Sequence, residues 1–192
     1  MLLTEALQIP PSARCICAVG AGGKTSLLYE LAEEYRQKGK RVLLITTTKM
    51  YLPEKDGVLD GTAEEIKEKL ERDGFAVAGS VFSEEKMGPL PQAILDEVFS
   101  FADVVLVEAD GSKRLPVKAP RPGEPVVPEN ADTVLAVLGL SALGEPAEEK
   151  CFRLEQACRL MDKCGRKDYR KDGRWILKPE DLACLMRNGY LN

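Results

Sequence analysis

Ala18-Val19-Gly20-Ala21-Gly22-Gly23-Lys24-Thr25, followed by Ser26, is the stretch whose residue types and spacing most narrowly prescribe a chemistry. A polyphosphate is held by consecutive backbone N–H groups turned inward. Only residues with little or no side chain allow both that turn and the close approach. Gly20, Ala21, Gly22 and Gly23 supply such a backbone, Lys24 can reach β- and γ-phosphates, and the Thr25 hydroxyl can ligate Mg2+. The pattern G-x-x-x-x-G-K-[ST] is met with Ala18 in first position, where a small residue is sterically adequate. The alternative is a glycine-rich turn that binds nothing.

A second reactive pattern is Asp103-Val104-Val105-Leu106-Val107-Glu108-Ala109-Asp110-Gly111. Glu108 and Asp110 are two apart, so both face one side if the strand persists that far. An acid at the tip of a strand beside a phosphate loop holds Mg2+ or its water. The competing reading is that these acids cap an Asp-Gly turn. The expected nucleotide set is therefore Gly20, Ala21, Gly22, Gly23, Lys24, Thr25 and Ser26, binding ATP or GTP. Thr25, Glu108 and Asp110 form the expected metal set, and Lys24, Glu108 and Asp110 the catalytic one. A third group is a candidate for a second, anionic substrate. Thr47, Thr48 and Lys49 follow an apolar strand, while Lys113, Arg114, Lys118 and Glu124 lie on a proline-stiffened loop that also carries Arg121.

These groups need elements to position them. Ala13 to Val19 reads as a strand, and Ser26 to Lys38 as a helix with Leu27, Leu28, Leu31, Ala32 and Tyr35 on one face. Arg41 to Thr46 is a near-continuous apolar run, the mark of a central parallel strand. Thr62 to Glu65 is a capping box whose helix turns Ile66 and Leu70 inward and stops at Gly74. Phe75 to Phe82 is expected as an edge strand or hairpin arm, Pro91 to Phe101 as a helix and Thr133 to Gly139 as a buried strand. Glu148 to Cys164 reads as a helix, Trp175 to Leu177 as a short extended piece, and Pro179 to Arg187 as a helix closed by Gly189. The sum is one α/β domain over 1–192, of the three-layer phosphate-loop NTPase type with a mainly parallel sheet. Residues 1–144 form its core and 145–192 a helical appendage.

Composition narrows the classes. A net charge of −4 excludes a general nucleic-acid or membrane-surface binder, which needs a basic excess. No apolar run reaches the roughly 18–20 residues of a membrane span, and residues 1–11 lack a signal-peptide pattern, so a cytoplasmic protein is expected. With no histidine and no C-x-x-C pair, a zinc site of the usual spacing is disfavoured. Cys15 and Cys17 share a face of the first strand as small apolar residues. Cys151, Cys158, Cys164 and Cys184 read as free thiols, with a soft-metal cluster as the alternative.

Val19 to Thr25, Thr46-Thr47-Thr48-Lys49, Glu108-Ala109-Asp110-Gly111-Ser112, Lys118-Ala119-Pro120 and Glu124-Pro125-Val126-Val127-Pro128 together resemble the YqeC family, bacterial accessory proteins of the selenium-dependent molybdenum hydroxylase system. The resemblance runs over nearly the whole chain, and the block from Glu108 to Pro120 is more specific than the glycine loop. It implies a nucleotide-binding fold, a role in maturing a selenium- and molybdenum-containing enzyme, and that enzyme or an anionic cofactor precursor as partner. It supplies no reaction. The family pattern carries histidine where this chain has Gly123 and Phe152, and continues past Asn192 into another strand, so a shortened chain is expected.

Two functions follow. One is an Mg2+-dependent NTPase or phosphotransferase. The other is a non-catalytic nucleotide switch or carrier that docks to the hydroxylase or to a cofactor-loading partner. No guanine-type Asn-Lys-x-Asp segment is present, which leaves the base open with ATP the first choice.

Overall fold

The computed structural model describes residues 1–166, 168–171 and 173–191. In chain order the elements are α1 (Leu3–Ala6), β1 (Cys15–Gly20), α2 (Lys24–Gln37), β2 (Val42–Thr46), β3 (Met50–Tyr51), β4 (Gly57–Leu59), α3 (Ala63–Asp73), β5 (Phe75–Ser83), β6 (Lys86–Gly88), α4 (Gln92–Phe101) and β7 (Val104–Glu108). There follow β8 (Val117–Lys118), β9 (Thr133–Val137), a 3-10 turn (Leu140–Ala142), α5 (Ala147–Lys150), β10 (Cys151–Phe152), α6 (Leu154–Lys163) and α7 (Pro179–Tyr190).

The fold is mixed α/β around a mostly parallel sheet of order β3-β6-β5-β2-β7-β1-β9, with β4 also on β5. The apolar runs of β1, β2 and β7 are buried at every position, as strands covered on both faces must be. Their register puts Ala18, Glu108 and Thr46 in one row, Glu108 opposite each of the other two. Parallel strands deliver their carboxyl ends to one edge, and Ala18, Thr46 and Glu108 stand at it.

Packing groups the chain into two units. The first comprises Met1–Ala18, Thr25–Asp110 and Val126–Leu135. In it Leu28, Leu31 and Ala32 of α2 pack with Ile16, Leu44 and Leu106 of the sheet. The α3 helix starts on a Thr62–Glu65 capping box and ends on Gly74 in the left-handed conformation, as its sequence prescribes. The second unit comprises Val19–Lys24, Gly111–Pro125 and the chain from Ala136 onward, more than the 145–192 read as an appendage. Its own core gathers Val117, Ala142, Ala147, Met161, Trp175 and Leu182.

Several expectations are corrected. The first half of β5 is an interior strand, not an edge, because its five leading residues are buried and pair in parallel with β2 on one side and β4 on the other; only its more exposed second half, antiparallel to β6, forms the hairpin arm. By contrast β9, expected to be buried, is half-exposed along its length, with Val134 44% accessible. The helix expected from Glu148 to Cys164 is interrupted. Cys151 and Phe152 pair with β8 instead, and Arg153 takes a left-handed conformation before α6 begins. Gly189 does not close α7 but lies within it, where a Cβ would come 3.0 Å from Pro120 Cδ. Cys164 and Cys184, read as free thiols, are joined by a disulfide between the packed α6 and α7. Asn192, where the sequence reading expected a shortened end, lies outside the described residues. Among the described residues no helix is long and apolar enough to cross a membrane.

Candidate functional site

In the second unit, the glycine loop has the backbone its sequence requires. Gly20, Gly22 and Gly23 have φ of +95°, +69° and +119°. The first two also have no room for a side chain: a Cβ on Gly20 would lie 2.1 Å from Val137 O, and one on Gly22 2.3 Å from Gly139 N. Gly23 differs, since nothing lies within 4 Å of its Cβ position. The loop is thus braced on one side and open on the other, a cradle of the kind that admits an anion. The Ala21 N–H donates to Val137 O (2.8 Å) and so braces the loop. Lys24 is 4% exposed, and its Nζ donates to Gly20 O at 2.8 Å, folding the ammonium back over its own loop.

In the first unit, Thr25 and Ser26 are exposed in the opening turn of α2. The Thr25 hydroxyl donates to Glu108 Oε2 at 2.5 Å, bringing together two of the oxygens expected to ligate metal. Glu108 is 6% and Asp110 0% exposed. No cluster of three or more acidic or cysteine groups arranged for a metal occurs among the described residues, so a cation here would take its remaining ligands from phosphate or water. The threonine run does structural work as well. Thr46 Oγ1 donates to Glu108 O (2.8 Å) and Thr47 Oγ1 to Val126 O (2.6 Å). Thr48 Oγ1 is buried and makes no hydrogen bond among the described residues. Lys49 stacks its ammonium 3.3 Å from the Phe82 ring centroid.

The basic loop, again in the second unit, is not a simple solvent-facing patch. Lys118 has a fully buried side chain whose Nζ lies 2.7 Å from Glu124 Oε2. Arg121 Nε is 3.0 Å from Glu124 Oε1, and Arg153 grips the same carboxylate with both guanidinium nitrogens, NH2 at 2.7 Å. Burial would push the Glu124 carboxyl up, but the hydrogen bonds from Arg153 and Lys118 overcome it and hold its pKa at about 2. Lys113 and Arg114 are exposed. Phe152 lies between two cations, with Lys113 Nζ 5.1 Å and Arg153 Cζ 4.7 Å from its ring centroid. Sequence reasoning did not place Arg153 and Phe152 in this cluster, although the family pattern marks the positions of Gly123 and Phe152, each next to a member of it; the pairing of β10 with β8 sets Phe152 beside Lys118.

The mostly parallel sheet with its helices defines a mixed α/β protein. The chain belongs to the YqeC family, described as YqeC protein, which matches residues 16–155 and so takes in every site residue named above. It is similar to the "Uncharacterized protein YqeC" of Escherichia coli (strain K12), at 38% identity over 136 residues covering 67% of this chain and 53% of that relative. The chain therefore spans about half the length of the curated relative it matches. No solved structure matches it.

Proposed function

We propose that this protein binds ATP or GTP with Mg2+ at Gly20 to Ser26 and acts as a phosphate-loop NTPase or phosphotransferase. The observation that carries the reading is the loop itself: three glycines at positive φ, closed on one side by backbone and open at Gly23, running directly into the first turn of a helix. Lys24, released from Gly20 O, neutralises charge developing on the γ-phosphate. Thr25 and Glu108, with Asp110, hold the metal. When bound, Mg2+ supplies neutralising charge at the β- and γ-phosphate oxygens. A second, anionic substrate meets Lys113 and Arg114, with Lys118, Glu124 and Arg153 as the bracing of that loop. The resemblance to the YqeC family supports a cytoplasmic accessory role in maturing selenium-dependent molybdenum hydroxylases, with that enzyme or an anionic cofactor precursor as partner.

Calorimetric titration of MgATP and MgGTP into the wild type and Lys24→Met is the test. The variant keeps the apolar stem and should lose roughly a hundredfold in affinity, the scale of about two charge-assisted hydrogen bonds, while its thermal unfolding stays cooperative. Unchanged affinity in a folded variant would remove the site assignment. Steady-state phosphate release, with and without purified hydroxylase, then separates turnover from a switch that only binds.

A further inference from the structure

Beside the carboxyl ends of β2 and β7 lies a cleft of about 600 Å3, built wholly from the first unit. That size falls in the range of roughly 300–1,000 Å3 typical of small-molecule sites, and the sheet edge is where open α/β folds place them. Ile45 and Val107 contribute from the sheet. One wall is α4, which presents Leu95 and Phe99 from a face that also carries Gln92, Asp96 and Ser100. The other is the segment Val126-Val127-Pro128.

Three observations separate this cleft from an ordinary surface dent. First, α4 is rich in apolar residues yet buries only Val98, and Leu95 and Phe99 remain half-exposed toward the cleft. Second, the opposite wall is held in place: Val126 N–H donates to Ala109 O at 3.0 Å, and Val126 O accepts from Thr47 Oγ1 at 2.6 Å, although Val126 itself is 44% exposed. Third, the lining contains the carboxylates of Asp96 and Glu129 and neither lysine nor arginine. Apolar walls gain by covering a flat ring, and carboxylates at the rim accept N–H donors while repelling anions.

We propose that this cleft binds an uncharged or cationic organic molecule with an apolar ring that offers N–H donors to Asp96 and Glu129, and that it rejects anions. Its ligand is therefore of a different charge class from a nucleotide's phosphates. Three indole derivatives that differ only in the charge of the side arm serve as probes on the intact chain: tryptamine, indole-3-acetamide and indole-3-acetate. Saturation-transfer NMR and calorimetry should show tryptamine and the amide binding, with the acetate about tenfold weaker, as an added like charge near two carboxylates demands. Asp96→Lys, at an exposed helix position, should reverse the order of tryptamine and acetate. Ser100→Trp, also exposed, should weaken all three by occupying the cleft. Absence of binding by all three probes, an order that Asp96→Lys leaves unchanged, or signals that survive Ser100→Trp would each overturn the proposal. MgATP affinity measured on the same variants should not move. If it falls with the indole signals, the cleft is part of the nucleotide site and its separate role is wrong.

Discussion

The glycine loop and the Glu124 cluster both lie in the second unit, yet they are built by opposite means. The loop is one continuous run of residues shaped by its backbone, so its positive φ angles follow from glycine at those positions, while its packing against Val137 and Gly139 is added by the fold. The cluster is made of side chains from separate segments, brought together because β10 pairs with β8 in register Lys118↔Phe152. What is local can be read from a sequence window; what depends on topology cannot. The comparison also separates two kinds of fragility. A loop fails when backbone space is taken, whereas a cluster fails when one charge is removed.

The largest effect should come from the loop. Gly22→Ala would bring a Cβ to 2.3 Å from Gly139 N and 2.7 Å from Pro116 O, both backbone atoms that cannot swing away. At φ +69° the substitution is strained as well. Urea unfolding should show a loss of at least about 4 kcal/mol, in the exceptional tail of single substitutions. Gly23→Ala meets nothing within 4 Å and carries only the strain of φ +119°, about 1–3 kcal/mol. Equal losses at the two positions would mean that the loop is not braced on one side only.

Next in size is the cluster. Glu124→Gln removes the carboxylate gripped by Lys118 and Arg153 and should cost about 3 kcal/mol, at the lower end of what breaking a buried pair costs. The pH dependence gives an independent check. The folded pKa of about 2 lies below the ordinary 4.5, so this carboxylate's contribution is fully present above about pH 4.5 and is lost as the pH falls toward 2. The two states differ by an amount worth about 3 kcal/mol. Glu34, also held at about 2 by Lys38, Thr4 and Leu3 against the upward push of burial, titrates in the same window. Glu124→Gln should therefore unfold in acid with a shallower slope, not a flat one. A wild-type slope in the variant would show that Glu124 is not an acid-labile support.

Legibility follows the same division. Burial of β1, β2 and β7 was readable because continuous apolar runs have one stable setting, and α3 because its cap and its stop are both local. The register of Ala18, Thr46 and Glu108 was not readable, although all three were noticed, because register is fixed by the whole sheet. The broken helix around Cys151 shows the limit most plainly. Local pattern favours helix from Glu148 onward, and a two-residue pairing with β8 overrides it, which is also what delivers Arg153 to Glu124. For Lys24 the residue type was legible, whereas the hydrogen bond that folds its Nζ onto Gly20 O is a matter of side-chain conformation that no sequence window gives.

The smallest expected effect tests that lesson on a single carboxylate. Arg121 and Arg153 both contact Glu124, the first from three residues away and the second from 29. A reader of sequence would choose Arg121, since an i,i+3 pair is visible in the window. The structure favours Arg153. Its side chain is 19% exposed and makes two hydrogen bonds to the carboxylate, whereas that of Arg121 is 65% exposed and approaches through Nε alone. A bidentate pair in a partly desolvated site keeps its strength, while an exposed ion pair is offset by solvent screening and side-chain entropy. Arg153→Ala should therefore lower stability by about 2–3 kcal/mol and Arg121→Ala by no more than about 0.5 kcal/mol. In the double variant the losses should not add, because both arginines act on the same carboxylate and share its Oε1. Losses in the reverse order would mean that the cluster is held by its near neighbour, and the distinction between what is local and what is assembled would fail at the position chosen to display it.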